Sequence, residues 1–337
     1  MTTRQKRFLY IFIGFAISAF LLWELFRNIN FRQLVDILAE ANYYWLIPNV
    51  LLVIAAMYLR AFRWRFMIAP VKHVAYSKLL AATFIGFMAN NVLPLRLGEF
   101  VRAYSLSYQD RDVSKSAALA NIFVERMVFD LVALLMIFGA VVGASHLPIG
   151  GDIRSGVTIA VAIALLGLAF MLFLALRPAL AGNLIVKYLF FLPEVIKEKI
   201  KDIVIRFSQG LEFLTDLRML TWVSTQTIIL WLIMGISNYF VFMAFGFHLP
   251  ITASYVLLVV VSISILIPSS PGFIGVYHAG AVWTLTLYGI SKEDALSFAL
   301  VLHAAQFVPI TLIGFYYLKK AHLSLKKLEE EAVESSS

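Results

Sequence analysis

Apolar runs long enough to cross a bilayer recur along this chain, and they leave no soluble fold open to it. A helix crosses in about 20 residues, and Phe8–Phe26 and Gly156–Leu176 read cleanly as crossings. Further runs near 45–65, 116–144, 219–246 and 293–318 complete an expected set of six. Composition agrees: 61% of the 337 residues are apolar and 14% are charged, against about 25% charged in a soluble domain. Period-two alternation is absent, which argues against a β-barrel. With no cysteine, disulfides, thiol catalysis and Cys-ligated metals are excluded. Arg4, Lys6 and Arg7 precede the first run, but Trp23, Glu24 and Arg27 follow it where a secretory signal carries small cleavage-site residues. It reads as a retained first helix.

Two more apolar segments are broken in the middle. Lys78–Tyr104 carries the run Asn90-Asn91-Val92-Leu93-Pro94-Leu95-Arg96-Leu97-Gly98-Glu99, and Thr252–Gly289 carries Pro268-Ser269-Ser270-Pro271-Gly272-Phe273-Ile274-Gly275. Pro and Gly at this density interrupt a helix, and a broken backbone at membrane depth survives only inside protein or beside a water-filled cavity. Each segment either crosses or dips in and returns. If both return and the N-terminus is cytoplasmic, all but five of the 28 Lys and Arg fall on the cytoplasmic side, counting Arg60–Lys78 and Arg96–Lys115 among them. That matches the positive-inside bias of inner-membrane proteins, so a cytoplasmic-membrane location with both termini inside is expected. Pro94 and Gly98 are four apart, as are Pro271 and Gly275, and each break lies between two full helices. The expected fold is therefore all-α and polytopic: six crossing helices plus two re-entrant hairpins, arranged as inverted repeats over about 45–145 and 219–318. An isolated structural kink at either break is the plainer alternative.

One transmembrane domain over 1–325 accounts for nearly the whole chain. Asn30–Tyr44, ending in Tyr43-Tyr44-Trp45, has the aromatic character of a membrane surface. Residues 194–214 repeat apolar side chains at helical spacing with Lys197, Lys199, Lys201 and Arg206 between them, as a surface connector or an anionic-lipid sensor would. The acidic, serine-rich tail over 326–337 is expected to be disordered.

Ionisable residues inside a bilayer are costly and are functional candidates by default. Arg96, Glu99 and Arg102 follow the first break at a spacing of three, along one side of a short helix whose N-terminus favours an anion. The alternative has Arg96 paired with Glu99 and Arg102 reaching to the surface. Glu125, Arg126 and Asp130 form a second cluster; Arg126 and Asp130 can pair on one helix face, which leaves Glu125 to seek Arg96 or Arg102. Asn90 and Asn91 supply amides at the first break. The second break has no charge, but Ser269 and Ser270 bring hydroxyls, Gly272 allows close backbone approach, and Tyr277 and His278 follow within two turns. Six scattered histidines and no metal-ligand spacing predict no metal site. No nucleophile elbow, P-loop or dinucleotide fingerprint is present, so no cofactor and no direct use of ATP are expected. The basic surplus follows topology instead of forming one face, which points away from nucleic acid.

The Asn90–Arg102 run, Glu125-Arg126 with Asp130, and the Pro268–Gly275 run, in this order, resemble the signature of the lysylphosphatidylglycerol synthase transmembrane, or flippase-like, family. The resemblance covers nearly the whole chain. It implies a non-enzymatic lipid translocase for an anionic phospholipid or a polyprenyl-phosphate lipid. The soluble aminoacyltransferase domain found beside this module in some members has no counterpart in these residues. A secondary transporter of a small anion and a membrane enzyme acting on a lipid phosphate remain the competing expectations, and homo-oligomerisation is open.

Overall fold

The computed structural model describes residues 3–144, 166–167, 169–188 and 193–336. The described residues form helices and turns, with no strand among them. The first three helices are α1 (Thr3–Phe26), α2 (Phe31–Glu40) and α3 (Leu46–Ile68). Asn30 caps α2 by accepting from the N–H groups of Arg32 and Gln33 at 3.2 and 3.3 Å, as short polar N-caps do. A 3-10 turn at Tyr43–Trp45 then leads into α3. Then come α4 (Tyr76–Val92), α5 (Gly98–Gln109), α6 (Lys115–Val124) and α7 (Leu131–Ala144). The later helices are α8 (Ala169–Leu176), α9 (Pro178–Tyr188), α10 (Glu194–Gly210), α11 (Leu217–Ala244), α12 (Ile251–Ser264), α13 (Val276–Leu287), α14 (Lys292–Lys320) and α15 (Leu325–Ser336).

Four helices are long and apolar enough to cross a membrane alone: α1, the turn-plus-helix Tyr43–Ile68, α11 and α14. A fifth span is possible if α8 and α9, bent by 108° at Arg177, count as one. This is a multi-pass membrane protein. The crossing expected over 156–176 lies mostly outside the described residues. The one expected over 116–144 is helical over 115–144, but Glu125, Arg126 and Asp130 interrupt its apolar character and occupy a π-helical turn between α6 and α7. Such turns are often found at functional sites.

Both broken segments are hairpins. A Cβ on Gly86 would press on Arg102 and on the Gly98 carbonyl, and one on Gly98 would press on Asn90. Positions equidistant from Pro94 therefore face each other, so α4 and α5 run antiparallel through a small-residue contact. Small residues at such contacts let backbones approach closely. In the second hairpin Gly280 of α13 meets Ser264 and Val261 of α12, again antiparallel about the break. Around the hairpins, α3 packs against α11, and α4 of the first hairpin packs against α14. Asn49 donates to the Ser237 carbonyl at 2.8 Å and Arg63 to Thr227 Oγ1 at 2.6 Å, which sets α3 and α11 antiparallel. Gly314 of α14 abuts Phe84 and Met88 of α4.

Two expectations need correction. The tail does not lack structure: α15 covers Leu325–Ser336, buries Leu328 near α5 and pairs Glu331 with Lys115 at 2.7 Å. Lys, Leu, Glu and Ala over 325–332 are good helix formers, and Leu328 is buried with the partly buried Leu325 beside it. The second concerns Arg60 and Arg63, counted above among the basic residues of the cytoplasmic side. Both lie inside α3 and are buried.

Candidate functional site

At the centre of the helical assembly is a cavity of about 190 Å³ whose walls come from α3, α4, the π turn, α11, α12, α13, α14 and the two hairpin tips. Three arginines line it, Arg60, Arg96 and Arg126, and no carboxylate does among the described residues. Asn90, Asn91, Asn238, Tyr277, His303 and Gln306 add polar atoms, and Val53, Met57, Leu258, Leu302 and Ile310 supply apolar wall.

The carboxylates lie behind the arginines. Glu125 is fully buried, and its Oε1 meets Arg63 Nη2 at 2.9 Å and Arg102 Nη1 at 3.0 Å. Asp130 meets Arg63 Nη1 at 2.9 Å, Arg60 Nη1 at 3.3 Å and Arg126 Nη1 at 3.5 Å, and accepts from Trp231 Nε1 at 3.3 Å. Aromatic faces cover the guanidiniums: Arg102 lies over Trp64 at 4.1 Å, and Arg60 lies near both Phe87 and Trp231. In a low-dielectric interior each of these charges would be prohibitive alone and is tolerable only when paired and hydrogen-bonded. With Glu99, the ion-paired cluster holds four arginines against three acids, one positive charge in excess, and Arg96 adds a further cation to the cavity wall.

Arg126 is the loosest member. Its ion pairs to Asp130 and Glu99 are 3.5 and 3.6 Å long, its guanidinium faces Phe87 at 4.8 Å, and its Nε is buried without a partner. A cation so lightly held at a cavity wall has hydrogen-bonding capacity left for an anion.

The tips are built from hydrogen bonds between hairpins and helices. Asn90 accepts from the Gly98 N–H at 2.8 Å and donates to Glu99 at 3.2 Å, closing the first tip. Asn91 reaches Thr311 Oγ1 of α14 at 2.8 Å. Arg96 belongs to the tip and not to α5, with its backbone in the left-handed region at φ 55°. Its Nη1 donates to the Ile265 carbonyl at 2.9 Å, at the C-terminal end of α12, and its guanidinium lies over Phe273 at 5.4 Å. A cation suits that carbonyl-rich helix end. At the second tip Gly272 (φ 71°) packs against Asn91 and Phe307, and Gly275 (φ 93°) against the backbone of Ser18 in α1. Ser18 accepts from the Ser270 N–H at 2.9 Å and donates to the Ile274 carbonyl at 2.8 Å. Tyr277 donates to Gln306 at 3.2 Å, and Gln306 to Asn238 at 3.1 Å.

Of the residues singled out by sequence, the cavity thus gathers Asn90, Asn91, Arg96, Arg126 and Tyr277. Glu125 and Asp130 stand behind it. Glu99 sits between Asn90 and Arg126. Arg102 does not reach the surface; it is buried on Glu125 and Trp64 because α5 turns that face inward against α4 and α6. Ser269, Ser270 and Gly272 shape the second tip without lining the cavity. The helix N-terminus expected to favour an anion at the first break is partly occupied, since the Gly98 N–H is taken by Asn90; at the second break the Gly275 N–H points to His278 Nδ1 at 3.4 Å. Arg60 and Arg63 were missed because basic residues at the end of an apolar run read as snorkelling anchors. Their spacing of three, with Arg65 on the other face, is the signal that could have found them. No group of three or more His, Cys, Asp or Glu able to hold a metal ion occurs among the described residues.

Sequence comparison adds what geometry cannot. A family model for the lysylphosphatidylglycerol synthase TM region matches residues 11–314. The chain is 25% identical over 244 residues to the UPF0104 membrane protein MJ1078 of Methanocaldococcus jannaschii, covering 72% of this chain and 98% of the relative. It is 21% identical over 360 residues to the glycosyltransferase AglD of Haloferax volcanii, covering 98% of this chain and 57% of that relative. The chain thus spans little more than half the length of the second relative. No solved structure matches it.

Proposed function

The chain belongs to the lysylphosphatidylglycerol synthase transmembrane family, and from that premise we propose that it moves an anionic glycerophospholipid across the cytoplasmic membrane, without chemical conversion of the lipid. One observation carries the reading: Arg60, Arg96 and Arg126 line the central cavity with no carboxylate among its described lining residues. A phosphate placed there gains charge-assisted hydrogen bonds from Arg126 and offsets the surplus positive charge of the cluster behind it. Glu125 and Asp130 hold the arginines in place and do not touch the ligand.

Helix packing supports an inverted-repeat plan. Equivalent helices of the two halves, α3 and α11, pack antiparallel, and the first arm of each hairpin packs on the last helix of the other half, α4 on α14 and α12 on α7. In this arrangement the hairpins are re-entrant from opposite sides, the spans of the two halves alternate in direction, and both termini are cytoplasmic. The head group passes between the tips, which meet where Arg96 reaches Ile265.

The test is translocation in proteoliposomes with head-group-labelled phosphatidylglycerol and phosphatidylcholine. Wild type is expected to move the anionic lipid faster. Arg126→Ala is expected to lower the anionic rate by about 10–100-fold, the worth of one hydrogen bond to a charged group, while the protein keeps its thermal stability. Equal rates for both head groups, or no movement of either, would sink the proposal.

A further inference from the structure

A second cavity of about 160 Å³ lies between α1 and the two hairpin tips. Tyr10, Ile11 and Phe15 of α1 form one wall, with Pro94 and Arg96 of the first tip and Leu266, Pro268 and Ser269 of the second opposite. Tyr10, Phe15 and Leu266 are more than half exposed, so the groove opens outward along an apolar helix face. Gly14 and Ser18 hold α1 against the backbone of the second tip at Ser269 and Gly275, which leaves the neighbouring strip of Ile11 and Phe15 facing the gap.

Arg96 is the one charged residue among the described residues of this lining, and it also lines the central cavity. At this shared position the Arg96 guanidinium is held on the Ile265 carbonyl and lies over Phe273, both of which line the central cavity. Arg96 and Phe273 are also two of the three non-glycine residues with positive φ among the described residues, at 55° and 59°. Backbones of this kind persist only where the surroundings fix them, and they cluster at ligand clamps and switch regions. A chamber lined by three arginines, sharing one of them with a groove whose other described lining residues are uncharged, fits a molecule with a charged end and a hydrocarbon end.

We infer that the groove between α1 and the hairpin tips seats one acyl chain of the phospholipid whose phosphate lies in the central cavity, with Arg96 as the doorway between them; this rests on the head-group reading above. The chain would stay in the groove as the head group moves, so the arginine-lined cavity need not accommodate it. Burying methylenes there holds the lipid in register with the arginines.

The experiment is photo-crosslinking in proteoliposomes with phosphatidylglycerol bearing a diazirine in its acyl chain, and mapping of adducts by mass spectrometry. Adducts are expected to concentrate in the peptides containing Tyr10–Phe15 and Leu266–Ser269. Ile11→Trp, which fills the groove, is expected to cut them about tenfold, the loss expected for about two buried methylenes, while adducts on the exposed Ile228, Ile229 and Leu232 face of α11 stay constant. Groove adducts no denser than those on the α11 face, or unchanged by Ile11→Trp, would overturn the assignment. So would preferential labelling of the groove by a diazirine-bearing polyprenyl phosphate. Groove adducts that survive Arg126→Ala and form equally with a phosphatidylcholine probe would support the chain site and overturn the head-group reading instead.

Discussion

The two hairpin tips meet at the same place and are held there by different chemistry. The first is tied by charge and amide: Asn90 closes it onto Gly98 and Glu99, and its outgoing arm buries Arg102 on Glu125. The second has no charge and is held by backbone geometry: two glycines with positive φ and one hydroxyl, Ser18, that satisfies both Ser270 and Ile274. Both solutions meet the same requirement, that no backbone polar group be left unpaired where water is scarce. They do not leave the same capacity. Charges set against one another can be arranged with a surplus, as where Glu99 of the first hairpin meets Arg126 of the π turn, whereas a tip made of glycines and a shared hydroxyl has nothing to spare. In this molecule the first hairpin carries the charge and the second shapes the wall it acts against.

If that division holds, the tips fail differently. The largest effect is expected at Glu125→Gln, which weakens the acceptor shared by Arg63 and Arg102 and leaves buried positive charge uncompensated. Breaking a buried pair from one side costs about 3–5 kcal/mol, to be read as thermal unfolding in detergent. A loss under about 1 kcal/mol, the level of an exposed ion pair, would show that water reaches the cluster. Gly275→Ala comes next. Its φ of 93° is a glycine conformation, and an added Cβ would sit 3.0 Å from the Ser18 carbonyl oxygen. The strain is about 1–3 kcal/mol, and moving α1 aside to relieve it should also raise protease cleavage near Gly14. The smallest effect is expected at Ser18→Ala. It removes one donor and one acceptor of a buried pair of hydrogen bonds and costs about 1–2 kcal/mol. Ser18→Thr keeps the hydroxyl and should recover most of the loss. Failure of Thr to rescue would place the importance of Ser18 in its small size, and the second tip would no longer be hydroxyl-held.

Much of this architecture was legible in the chain. Runs of about 20 apolar residues give α1, α3, α11 and α14 directly, because length and apolarity together decide a crossing. Paired Pro and Gly at 94/98 and 271/275 marked both hairpin tips, since those residues act through local backbone geometry. Glu125, Arg126 and Asp130 stood out because charge is costly in an apolar setting. What stayed hidden depends on contacts between distant elements. Arg60 and Arg63 look like any basic helix end until Glu125 and Asp130 are brought beside them. Ser18 is one hydroxyl in an apolar helix, and serines there commonly bond their own helix; only the second tip gives this one a partner. Arg96 was picked out for its charge, but its left-handed backbone and its hold on Ile265 arise from a neighbour 169 residues away.

Glu125 and Asp130 both reach Arg63, yet on a regular α-helix residues five apart point about 140° away from each other. The π turn between them makes the shared partner possible by lodging one extra residue in a single turn. It acts as a one-notch vernier. Everything after it is rotated by that notch, so the aim of α7, with Ala133 against Leu230, Trp231 and Leu258, is set by chain length in this turn as well as by side-chain identity. Winding the same residues as a regular α-helix would swing Leu131–Ala144 through about 100°, turning Ala133 away from its partners, whereas deleting one residue of the turn would close it to a regular α-helix and leave α7 in place. In this stretch the count of residues is itself a structural determinant, one that no substitution could alter and no substitution could restore.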